Sequence, residues 1–146
     1  MDIVLGGSFI LPLLTGVYKR LSQDSTLRAM CPGGIHDGLV ETNHGASAKM
    51  PYVIIGETDE RMKDTLNRTG SDTFLLIEVF SNYRGSKEVL TICDRIHLLL
   101  HRQEAQLETP GWCTIMMVKQ SQNVLTTGDN NRHGIMRFRV KGQPTP

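Results

Sequence analysis

The run Thr73–Ser81, Thr-Phe-Leu-Leu-Ile-Glu-Val-Phe-Ser, constrains this chain more than any other segment. Successive side chains of an extended strand point to opposite sides, so Phe74, Leu76, Glu78 and Phe80 share one face and Thr73, Leu75, Ile77 and Val79 the other. Thr73 and Glu78 are the only polar interruptions among these eight. A strand apolar on both faces lies central in a sheet, and the rest of the chain must supply its neighbours.

Three segments qualify. Met50–Gly56 is short and β-branched and reads as a strand, with Pro51 confined to its start or to an edge. Trp112–Leu125 reads as a long strand that turns at Gly128–Asn131 and returns as Gly134–Val140. The returning strand places Ile135, Arg137 and Arg139 on one face and Met136, Phe138 and Val140 on the other. Two helices frame these strands. The clearer one, Ser86–Arg102, carries Val89, Ile92, Cys93, Ile96, Leu99 and Leu100 on one stripe. The other, about Phe9–Ser22, follows a capping Ser8, with Pro12 in its first turn, where proline is tolerated.

The segments between are polar. Residues 32–49 form a Gly-rich insert without periodicity, with a short strand around Ile35–Val40. Residues 57–72 are almost wholly polar apart from Met62 and Leu66 and read as a long hairpin loop. The order α-β-β-α-β-β, without regular crossovers, predicts an α+β fold in which an antiparallel β-sheet is packed on one face by two helices. A single domain over residues 1–146 is expected, long enough to bury a core without metal or disulfide help.

Charge and motifs narrow the function. Sixteen Lys and Arg nearly cancel fifteen Asp and Glu, so no strong field draws in nucleic acid or acidic lipid. Cys31, Cys93 and Cys113 are odd in number and far apart, which predicts free thiols in a reducing compartment. The apolar stretch Ile3–Val17 follows Asp2 and is broken by Gly6, Gly7 and Pro12, so it is read as a core-facing segment, neither a secretory signal nor a membrane span. His97 and His101 stand one helical turn apart, but Leu98 occupies the place of a zincin glutamate, and no spacing supplies a third ligand. Gly6-Gly7 and Gly33-Gly34 lack a phosphate-loop pattern, and no Gly-x-Ser-x-Gly is present. No catalytic, cofactor-binding or metal residue is therefore assigned. Arg132, Arg137, Arg139 and Lys141 form a basic cluster, the last three on one face. That face is either solvated, or meets another subunit, or lines a channel passing DNA.

Several segments together resemble the phage tail completion family, also described as tail terminator or tail-to-head joining proteins. Pro51-Tyr52-Val53-Ile54-Ile55-Gly56-Glu57 is similar to its Pro-Tyr-Val strand. Ile77-Glu78-Val79-Phe80-Ser81 resembles its strand ending in a hydrophobic-Ser step, and Gly85, Glu88, Val89, Ile92, Ile96 and Leu100 follow its Gly-x-x-Glu helix. His133–Arg139 resembles the closing strand. The chain departs from the pattern in the length of its 32–49 insert and at Phe80, where many members carry Trp.

The resemblance implies a virion protein without catalysis or cofactor. It would form a homo-oligomeric ring, commonly of six copies, at the head-proximal end of a long tail of a phage or gene transfer agent. Its partners would be the tail tube protein and the head-side connector, with DNA passing through the ring without sequence-specific binding and no membrane involved. The polar segments supply the expected contact residues: Glu57, Asp59, Arg61, Met62, Lys63, Leu66 and Arg68 from the loop, Asp129, Asn130 and Arg132 from the turn, and Arg137 and Arg139 from the sheet face. The competing reading is a small α+β binding module without catalysis.

Overall fold

A computed structural model of the chain describes residues 7–38, 49–66, 69–128 and 130–145. In chain order the elements are α1 (Ile10–Ser22), α2 (Ser25–Met30), β1 (Ile35–Asp37), β2 (Tyr52–Met62), β3 (Ser71–Ser81), α3 (Lys87–Leu100), β4 (Trp112–Thr126) and β5 (Arg132–Pro144). The strands form one sheet in the order β1-β2-β3-β5-β4. The doubly apolar strand is β3, and it takes the central position its sequence predicts. Pairing is antiparallel throughout except where β1 joins β2 in parallel. The α+β fold is as expected, with α2 and β1 added to the predicted order.

Both additions are short. Six residues of α2 give too little length for a periodic signal, and the helix is held at its N-terminus. The Asp24 side chain accepts the N–H of Leu27 and takes the Arg95 guanidinium of α3 in two hydrogen bonds of 2.9 and 2.7 Å. The strand expected around Ile35–Val40 is β1, and its last two positions lie outside the described residues, as do residues 41–48 of the insert.

The loop expected over residues 57–72 is corrected. Strand β2 continues to Met62 and β3 begins at Ser71, with Thr58–Met62 paired to Leu75–Ser71 after a register irregularity beyond Ile55. Polarity there reflects a hairpin arm with few apolar neighbours, not the loss of extended backbone. One of its charges is also used inside the fold. Glu60 accepts hydrogen bonds from Phe9 N–H (2.9 Å), Ser8 Oγ (2.7 Å) and Ser71 Oγ (2.8 Å). Ser8 Oγ in turn accepts the N–H of Ile10 at 3.1 Å. A carboxylate thus sits at the positive end of the α1 dipole, supplying the cap that Ser8 alone was expected to give.

Helices α1 and α3 pack on the sheet face that carries Val53, Ile55, Leu75, Ile77, Val79, Met136, Phe138 and Val140, all at 1% exposure or less. The α3 stripe enters this core as its spacing predicts, from Val89 to Leu100. Two glycines of β5 set how closely the helices approach. A Cβ on Gly134 would stand 2.9 Å from Val89 Cγ2 and 3.1 Å from Cys93 Sγ, and one on Gly142 would stand 2.7 Å from the Phe9 ring. Phe9 is fully buried between that glycine and Trp112, whose ring centroid is 5.1 Å away. Among the described residues no helix is long and apolar enough to cross a membrane.

The Phe9 ring cannot retreat from Gly142 without disturbing Trp112. Gly142→Ala is therefore expected to cost about 1–3 kcal/mol of stability. Phe9→Leu would relieve that clash, so denaturant unfolding of the double variant should show a loss smaller than the sum of the two single losses. Additive losses would mean that the ring and the glycine do not touch.

Candidate functional site

The helices cover one face of the sheet, and the alternation of each strand gives the other face a composition of its own. At one end, a row of rings crosses four strands. His36 of β1 stands edge-on to Tyr52 of β2 at 6.2 Å, Tyr52 stacks on Phe80 of β3 at 5.0 Å, and Phe80 stacks on His133 of β5 at 4.2 Å. Glu78 Oε1 approaches His133 Nε2 to 3.3 Å without hydrogen-bond geometry. Burial beside Glu78 raises the Tyr52 hydroxyl above its ordinary pKa. In the middle of the face lie Leu76 opposite Arg137, and Ile135 opposite Glu78.

Beyond these, the face is charged around one ring. Arg137 lies over Phe74 with its guanidinium carbon 4.4 Å from the centroid, and Arg139 stands at 5.9 Å. Arg139 also binds the buried Asp72 in two hydrogen bonds of 3.0 and 2.7 Å. Phe138 points to the helix side, as alternation predicts; the ring between the arginines comes instead from the neighbouring strand.

The contact residues expected from the sequence fall into three groups. Asp59 and Arg61 lie on β2 opposite Phe74 and Asp72, so they join Arg137 and Arg139 on the uncovered face. Arg61 Nε is 3.9 Å from Asp59 Oδ2, both side chains being exposed. Glu57 is exposed at the irregularity of β2. Met62, Lys63 and Leu66 stand exposed at the tip of the β2–β3 hairpin, closed by Lys63 N–H to the Gly70 carbonyl at 2.8 Å. Asn130, with φ of 63°, and Arg132 belong to the β4–β5 turn, where Arg132 donates to the carbonyls of Asn130 and Arg84. Arg68 and Asp129 lie outside the described residues. The hairpin tip flanks Gly142 and the turn flanks Ser81, so these groups occupy opposite ends of the sheet, about 30 Å apart by strand rise.

Residue spacing within single strands does not reveal the ring row. Its one signal lies in β3 itself, whose second apolar face has no covering element assigned to it.

The histidine pair lies elsewhere. His97 and His101 stack at 4.5 Å, His101 Nδ1 accepts the N–H of Lys119, and desolvation together with Lys119 lowers the His97 pKa. Among the described residues no three His, Cys, Asp or Glu side chains converge. Burial pushes the Cys31 thiol up to about 12 and that of Cys93 to about 11, so both stay protonated at neutral pH, while Cys113 is exposed.

Comparison with known proteins bears on this geometry. A family model described as tail completion protein gp17 matches residues 15–141. A chain from the virion of a native gene transfer agent particle has the same fold, with a TM-score of 0.80 over 93% of this chain and 98% of that one, at 15% identity. Among curated proteins no match is found.

Two hydrogen-bonded arginine–aspartate pairs make the geometry testable by pH. Arg95 beside Asp24 and Arg139 beside Asp72 hold both carboxyls below the ordinary range, hydrogen bonding being the largest cause. A depressed folded pKa stabilises the fold above the unfolded value, about 4, and this contribution is lost as pH falls through the folded value. The melting temperature should therefore fall as the pH drops below about 4, and Asp72→Asn should lower it at pH 7 and make the acid-side decline shallower. An unchanged acid profile in Asp72→Asn would show that the pair does not form.

Proposed function

Because the chain belongs to the tail completion protein gp17 family and is a structural protein of the virion tail, we propose that it closes the head-proximal end of the tail as one subunit of a ring. The observation that carries this reading is the family match, which spans residues 15–141 and so includes both helices of the core and all five strands, save for the first residues of α1 and the last of β5. A ring of identical subunits needs two different surfaces on each copy, and it also presents two axial faces to unlike partners. The hairpin tip with Met62, Lys63 and Leu66 and the turn with Asn130 and Arg132 stand at opposite ends of one sheet. In this reading one of them meets the tail tube and the other the head-side connector. Rings of six copies with DNA passing through the centre are the assembly this reading takes from the family resemblance.

Two experiments test it. A phage lacking the gene should make tails of uncontrolled length, or tails unjoined to heads, and supplying the chain in trans should restore infectivity. Normal particles in its absence would end the proposal. Replacing residues 63–70 by Asn-Gly should close the β2–β3 hairpin as a tight turn, leaving circular dichroism and thermal unfolding near wild type while tail completion fails. Full infectivity with the shortened hairpin would remove the tip from the contact surface.

A further inference from the structure

We infer that the uncovered face of the sheet receives helix α3 of a second copy of this chain, so that copies join head to tail with each α3 seated on the next sheet. The inference rests on the ring reading and names the surfaces that would build it. Two surfaces of the subunit each carry apolar side chains around an exposed charge with no ion-pair partner among the described residues, and these two charges are opposite; Glu78, at the end of the sheet surface, is half-buried beside His133. On the sheet, Arg137 is exposed above Phe74 and is bordered by Leu76 and Ile135; unlike Arg139, which is bound to Asp72, it has no carboxylate partner among the described residues. On the outward side of α3, Leu90, Asp94 and Leu98 recur at four-residue steps and so form one stripe. Leu90 is 39% and Leu98 64% exposed, and Asp94 is exposed with no ion pair among the described residues.

The dimensions agree as well as the charges. Leu90 to Leu98 spans about 12 Å of helix, and Phe74 to Glu78 spans about 14 Å of strand. Seating α3 there would bring Asp94 over Arg137 while the two leucines cover Phe74, Leu76 and Ile135. It would also repeat between copies the helix-on-sheet layering that α3 makes inside its own subunit. Two copies joined sheet to sheet about a dyad at Arg137 would instead set the two unpaired Arg137 guanidiniums against each other, like charge against like. Because the two surfaces lie on opposite layers of the subunit, the contact is heterologous and can propagate until it closes.

Charge exchange tests the pairing. Arg137→Glu and Asp94→Arg are surface changes in different layers, and circular dichroism and thermal unfolding establish that each variant folds. In sedimentation velocity over a concentration series, each should associate at least about ten-fold more weakly than wild type, since like charges then meet in the interface. The double variant should return to within about three-fold of wild type, and an equimolar mixture of the two single variants should associate where neither does alone. Arg137→Gln and Asp94→Asn provide the same comparison without reversal and should fall between. Association unchanged in the single variants, a double variant no better than the singles, a wild-type chain that stays monomeric at every concentration, or one that stops at a closed dimer would each overturn the inference. The gene-deletion phenotype does not depend on which surfaces meet, so the tail role stands or falls separately.

Discussion

The close approach of two helices to β5 is the contact on which the rest of the structure depends. Val89 and Cys93 of α3 rest where Gly134 has no side chain, and Phe9, just before α1, rests where Gly142 has none. Between these points the buried row from Gly134 to Gly142 meets the buried row of β3, residue against residue. Fixing both helices fixes which face of the sheet is buried, because a shift of one residue along any strand would exchange its two faces. The Glu60 carboxylate reinforces this at the Gly142 end, tying Phe9 and the start of α1 to the β2–β3 arm. The Asp24–Arg95 pair does the same between α2 and α3.

Burying one face decides the character of the other. The strands that present Ile55 and Ile77 to the helices present Tyr52, Phe80, Leu76 and Phe74 on the opposite side. The ring row and the arginines over Phe74 partly shield that face within the subunit, since Phe74, Leu76 and Phe80 are all half-buried. Large apolar areas on a sheet face that no helix covers mark surfaces for association. Belonging to a family of tail completion proteins gives that surface a context, and in the ring proposed above it is where identical subunits meet.

Much of this was legible in the sequence because it rests on period. The α3 stripe, the alternation of β5 and the double apolarity of β3 each follow from residue spacing, and the structure places all three as expected. What escaped had no period to read. Six residues of α2 complete fewer than two turns, and Asp24 gave no sign that its partner would be Arg95, 71 residues away. The polar arm Glu57–Met62 reads as loop because a hairpin beyond the core needs no apolar alternation, and nothing in the spacing shows that Glu60 is tied inward to the start of α1. The ring row needed registers between strands, which single strands do not carry. Even so, a strand apolar on both sides in a fold with helices on one side already implied a second partner.

If copies of the chain meet through the sheet, that second face is covered when the protein is at work. Hydroxyl-radical footprinting of Tyr52, Phe74 and Phe80, read by mass spectrometry in the dilute chain and in intact particles, measures this directly. All three should be modified in the dilute chain and strongly protected in particles, while Tyr18, exposed on α1, changes less. Equal modification of the sheet-face rings in both states would contradict it.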